Sequence, residues 1–165
     1  MMSSTPSGST TPQEYFRLIL LTVVSGAFQA AGYVLDDRPS QHGAGLFRFI
    51  RAFPEGLWGV IEYQLLAYVD TEWSSGAPSR FRVTLIRTDQ ANPSARSTHP
   101  RYVRRELSAL VVDDFGVAIL PSASHWWTYR DVTELGKGLA ESGHLVVGYG
   151  MPWLSGELTP PTQQP

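Results

Sequence analysis

Residues 47–65 read Phe47-Arg48-Phe49-Ile50-Arg51-Ala52-Phe53-Pro54-Glu55-Gly56-Leu57-Trp58-Gly59-Val60-Ile61-Glu62-Tyr63-Gln64-Leu65. In an extended chain, alternate residues share a face. Phe47, Phe49 and Phe53 then lie together, as do Ile61, Tyr63, Leu65 and, further on, Val69. The two sets share one face only if paired positions sum to an even number. A three-residue loop, Pro54-Glu55-Gly56, gives that pairing and sets Phe53 opposite Leu57. Pro opens such a turn with φ already fixed, and Gly56 supplies the left-handed residue. The register predicts Arg48 opposite Glu62 as an exposed pair on the second face. It also predicts Arg51 opposite Gly59 on the aromatic face, with the bare Gly59 leaving Arg51 room. Leu46, Ile50, Trp58, Val60, Leu66 and Tyr68 join Arg48, Glu62 and Gln64 on that second face. A face this apolar calls for cover, from the final helix or from a second copy of the chain.

Outward from this hairpin, Phe81, Val83 and Leu85 alternate with Arg80, Arg82 and Thr84 and predict a third strand. Residues 70–79 and 90–98 read as loops. Residues 102–112 fit a strand or a helix, and the strand is preferred. With the turn-like Asp113-Asp114-Phe115-Gly116 and apolar residues 117–120, it reads as a second hairpin. Before the sheet, Thr11, Pro12 and Glu14 form a helix start, and Gly32 a stop. Phe16, Ile19, Leu20, Val23, Val24, Ala27 and Ala31 supply the stripe between them. Residues 36–45 read as loop. After the sheet, Asp131 and Glu134 start a second helix with Val132, Leu135, Leu139 and Val146 as its stripe. Close packing or a break is expected near Gly143, and an end at Gly150, Pro152 and Trp153. The fold class is therefore α+β: an antiparallel sheet of about four to five strands flanked by an N-terminal and a C-terminal helix. One domain is expected over residues 11–158, with disordered tails at 1–10 and 159–165.

The 165 residues carry a formal net charge of −2, which argues against a nucleic-acid partner. Cysteine is absent, which removes disulfides, thiolate zinc sites and a Cys nucleophile. The apolar run at 18–24 loosely resembles a signal peptide, but Glu14 and the interruptions at Thr22, Ser25, Gly26 and Gln29 oppose it. The run is also too short for a membrane span. A cytoplasmic location and no membrane partner are expected.

The order helix, sheet meander, Arg104-Arg105-Glu106-Leu107, Trp126-Trp127, then a helix closing on Gly150-Met151-Pro152-Trp153-Leu154 resembles an uncharacterised bacterial family of small α+β domains. Such domains look similar to immunity proteins encoded beside secreted toxins. The resemblance spans most of residues 12–155 and implies a protein partner. It supplies no catalytic residues, and no cofactor is expected.

Residue spacing alone names no reaction. His42, His99, His125 and His144 have no metal-ligand spacing, so no metal site is expected. No Gly-x-Ser-x-Gly elbow or phosphate loop is present. Arg101, Arg104 and Arg105 form the densest basic cluster. They read as a contact to phosphate or an acidic partner, or as strand-face charge with Arg105 paired to a carboxylate. Arg51 reads as an aromatic-stacked carboxylate holder, or as a side chain snorkelling from the sheet edge. Trp126, Trp127, Tyr129 and Trp153 read as groove lining or as core. Ligand- or partner-binding candidates are Arg51, Arg101, Arg104, Arg105, His125, Trp126, Trp127 and Trp153. The expectation is a non-enzymatic binding or protein-interaction domain, with a homodimer as a further form. The alternative is a small enzyme with Arg51, Glu62 and His125 in an aromatic-lined pocket.

Overall fold

The hairpin forms in the register that parity requires. In the computed structural model, which describes residues 10–67 and 77–161, β2 (Leu46–Ala52) and β3 (Trp58–Leu66) are antiparallel. Arg48 stands across from Glu62, Phe49 from Ile61 and Arg51 from Gly59. Residues 54–56 make the turn, and the Phe53 N–H donates to the Leu57 carbonyl at 2.7 Å. Gly56 has φ 73° as expected. Glu55 precedes it at φ 66°, so the turn holds two left-handed residues in a row. Expectations for the N-terminal tail through 9, for Tyr68, Val69 and most of the following loop, and for 162–165 lie outside the described residues.

Among the described residues the sheet has six strands, all antiparallel. β1 (Val34–Leu35) adds to β2, and β4 (Ser79–Thr88) pairs along β3. β5 (Val103–Glu106) takes one end of β4, and β6 (Trp127–Tyr129) takes the other. The order is β1-β2-β3-β4-β5, with β6 on β4.

The second expected hairpin does not form. The strand stops at Glu106, and the chain turns helical as α3 (Leu107–Ala109) and a π turn over Leu110–Asp114. Leu107, Leu110 and Val111 are all fully buried. Two adjacent buried residues suit the i, i+3, i+4 face of a helix and cannot both face inward from a strand. Residues 117–120 are irregular; Leu120 is buried but Ile119 is exposed. Strands β1 and β6 were not expected, nor was α2 (Pro39–Gly43) within the loop at 36–45.

Helix α1 (Pro12–Ala30) begins where the cap residues place it, with the Thr11 hydroxyl accepting from the Glu14 N–H at 3.1 Å. Its buried stripe is Phe16, Leu20, Val24 and Phe28, each four residues on; Val23 and Ala27 face solvent instead. Helix α4 (Val132–Leu145) starts at the Asp131 cap, whose carboxylate accepts from the Glu134 N–H at 2.8 Å. It neither breaks at Gly143 nor ends at Trp153. A π turn (Val146–Gly150) carries it into α5 (Met151–Ser155), and Gly156 stops it at φ 84°. Gly143 serves close packing: a Cβ there would meet Val24 Cγ1 of α1 at 3.1 Å.

Both long helices pack on the same sheet face. Phe16 meets Phe47 at 5.1 Å between ring centroids, and Phe28 meets Phe49 at 4.9 Å. Leu135 and Leu139 of α4 join Ile61, Val83 and Leu85 in one buried cluster. Inside this layer the Tyr63 hydroxyl and the Ser142 hydroxyl lie 3.1 Å apart. Burial pushes the Tyr63 phenol well above its ordinary range, with the Ser142 hydrogen bond opposing. The final helix therefore does not cover the second sheet face, which had been one of the two expected covers.

Candidate functional site

Strand alternation assigns the second face its residues: Arg48 and Ile50 from β2, Trp58, Val60, Glu62 and Gln64 from β3, Arg80, Arg82 and Thr84 from β4, and Arg104 and Glu106 from β5. Among the described residues, no long helix lies on it. The connection from β4 to β5 folds back over part of it instead, and Val60, Thr84, Ile86 and Thr88 on this face are buried. The Arg48 NH2 group donates to the Ser94 hydroxyl at 2.8 Å, and the Arg104 NH1 group donates to the Pro93 carbonyl at 3.3 Å.

Beneath this connection, Arg48 and Glu62 are each 4% exposed. This corrects the expected exposed pair. Arg48 Nε donates to Glu62 Oε2 at 2.8 Å, and Arg104 NH2 lies 3.6 Å from Oε1. Glu62 thus has a second guanidinium, and Arg48 a neutral acceptor in Ser94. Buried charges persist where such additional partners satisfy them.

Beside the pair runs a groove. One part, of about 380 Å³, is lined by Val34, Ile50, Trp58, Val60, Gln90 and Pro93 among others. The adjoining part, of about 510 Å³, is lined by Arg38, Leu46, Arg48, Asn92 and Ser94 among others. Arg38, Ala91 and Pro93 border both. Volumes in this range suit a small molecule or a few side chains of a partner. The groove floor was legible as the apolar second face; its cover was not, because the 90–98 stretch carries no periodic signal.

The expected site residues do not converge. Arg101, Arg104 and Arg105 go three ways. Arg105 makes two bonds to Asp114, at 2.9 and 3.0 Å, and that carboxylate raises its pKa. Arg104 points to the open face, and Arg101 lies 3.9 Å from Glu55 at the hairpin turn. Arg51 stacks on Phe53, 5.3 Å from the ring centroid, on the helix-covered side of the sheet. The space over Gly59 is not Arg51's. A Cβ there would meet Phe53 Cε2 at 2.6 Å and the Tyr33 hydroxyl at 2.8 Å. That hydroxyl is buried with no hydrogen-bond partner among the described residues, and burial pushes its pKa to about 12 against the opposing charge of Arg51.

Strand alternation also splits the Trp126-Trp127 pair. Trp127 stacks on Phe81 at 5.5 Å in the core and donates its indole N–H to Glu141 at 2.8 Å. Trp126 faces the other way, under Arg80 and Arg82. Trp153 and Tyr129 are buried. His125 packs edge-on against Trp127 at 4.7 Å, and its backbone N–H donates to the Ser108 hydroxyl at 3.1 Å. Burial lowers its pKa, with Glu141 opposing. Arg51, Glu62 and His125, the expected acid/base set, therefore sit on a covered face, an open face and a separate connection. Among the described residues, no three His, Asp or Glu side chains are grouped to hold a metal ion, and no helix is long and apolar enough to cross a membrane. Arg80 and Arg82 were missed as site residues. The available signal was their i, i+2 spacing on the side of β4 away from Phe81 and Val83.

Comparison of the chain with known protein families, with curated proteins and with solved structures finds no match.

Proposed function

We propose that the chain is a non-enzymatic protein-interaction domain of immunity type that binds its partner on the open face of the sheet. The observation that carries this reading is the groove beside the Arg48–Glu62 pair, on the one sheet face that the long helices leave uncovered. The dispersal of Arg51, Glu62 and His125 favours binding over acid/base chemistry, since catalytic groups must share hydrogen-bond reach of one substrate. In this reading the protein works in the bacterial cytoplasm.

Ala91 is exposed and borders both parts of the groove, so Ala91→Arg obstructs the groove without disturbing the core. Val147 is exposed on the helix side, so Val147→Arg is the matched control. Affinity capture from the native host is expected to recover one partner with the wild type and with Val147→Arg, and to lose it with Ala91→Arg. Recovery of no partner, or equal capture by all three proteins, contradicts the proposal.

A further inference from the structure

At the β6 end of the open face, two guanidiniums share one indole. The Arg80 and Arg82 Cζ atoms lie 4.6 and 4.8 Å from the Trp126 ring centroid. Such stacking holds a guanidinium planar and restricts its rotamers before any ligand arrives. Arg82 is fixed further, donating from Nε to Gln64 Oε1 and from NH1 to Glu106 Oε1, each at 2.9 Å. Arg80 differs: its Nε is buried and, among the described residues, meets no hydrogen-bond partner. An unsatisfied buried donor on a charged group is costly, and an anion paired with the same guanidinium offsets part of that cost through its charge. Leu66 stands opposite Arg80 in the ladder and is exposed, which places apolar surface beside the charge.

The face as a whole is polarised against the rest of the molecule. Arg48, Arg80, Arg82 and Arg104 face Glu62 and Glu106, an excess of two positive charges in a chain of formal net charge −2. A negative partner is drawn to this face and repelled by the remainder. We propose that Arg80 and Arg82, stacked on Trp126, anchor an extended acidic segment of the partner protein through its carboxylates. This deepens, and rests on, the reading of the open face as the binding surface. A polypeptide fits better than a nucleic acid. The indole is occupied by guanidiniums and so is not free to stack a base.

The test titrates the full chain with a hexaglutamate peptide at low ionic strength, followed by calorimetry. Saturable binding is expected, weakened at least about tenfold by Arg80→Gln, as for loss of a charge-assisted bidentate contact. Arg80→Lys keeps the charge but loses the planar fork, and it is expected to weaken binding by about threefold or more. Arg101→Gln removes the same charge at the hairpin turn and is expected to leave binding unchanged. Absence of saturable binding overturns the proposal, as does equal weakening by Arg101→Gln. Tighter binding of an oligothymidylate than of hexaglutamate overturns the polypeptide assignment. If Ala91→Arg abolishes capture of the native partner while Arg80→Gln leaves it intact, the open-face reading stands and this anchor falls.

Discussion

Replacing Arg48 with Met removes one half of the buried ion pair and leaves the Glu62 carboxylate, 4% exposed, without its closest cation. Breaking a buried pair in this way costs about 3–5 kcal/mol, mostly the penalty of the charge left behind. The Arg104 NH2 group at 3.6 Å remains to offset part of that penalty, which places the loss at the low end, about 3 kcal/mol. With an m-value of about 2 kcal/mol per molar, the urea midpoint falls by about 1.5 M. For a domain of this size the melting temperature falls by about 6–12 °C. Removing both charges, as Arg48→Met with Glu62→Leu, leaves no orphan carboxylate and is expected to cost less than Arg48→Met alone. Urea unfolding of the three variants reads all of this. A loss under about 1 kcal/mol for Arg48→Met, the size of a solvent-screened pair, refutes the reasoning and with it the cover provided by Pro93 and Ser94.

Further outcomes follow from the same packing. Gly59→Ala drives a Cβ into the Phe53 ring and the Tyr33 hydroxyl and is expected to destabilise by about 1–3 kcal/mol by overpacking, read from thermal unfolding; no change would mean that this corner is loosely packed. Gly56→Val, at φ 73°, is expected to lose about 1–2 kcal/mol to left-handed strain, again by thermal unfolding, and a neutral result removes the turn geometry. Burial holds the pKa of His42 and of His125 below 6.5, with Asp37 and Glu141 opposing. Their folded values lie under their unfolded ones, so stability is full above about pH 6.5 and is lost as pH falls through the folded values. Melting temperatures measured from about pH 8 down to about pH 5 should fall, and less steeply in a His42→Gln, His125→Gln double variant; parallel profiles for the two proteins would dismiss both histidines.

Where a pattern runs through one element, the sequence was readable. Parity across 47–65 placed Arg48 opposite Glu62 because a slip of one residue would have exposed every phenylalanine in β2. Thr11 and Asp131 were legible as caps because capping chemistry is local. Tertiary packing decided the rest. Leu110 and Val111 turn helical because both are buried against the helix layer, which a single-strand pattern cannot show. Phe28 rather than Ala27 continues the α1 stripe because Phe49 lies 4.9 Å away, on a strand some twenty residues on. At the site, Ile50, Trp58 and Val60 were placed on the correct face. The burial of Arg48 and Glu62 was hidden because it depends on Ser94 and Pro93, which lie far along the chain. Arg104 and Arg105 part because adjacent residues in a strand point to opposite faces, and Arg101 lies before the strand, near Glu55.

The open face as the binding surface is the central claim, and carbene footprinting of the chain alone and with its captured partner tests it most directly. The account predicts reduced labelling at Val34, Ile50, Trp58 and Trp126, with Leu18, Val23 and Val147 on the helix side unchanged. Protection of Leu18, Val23 and Val147 with the open face still labelled would contradict it.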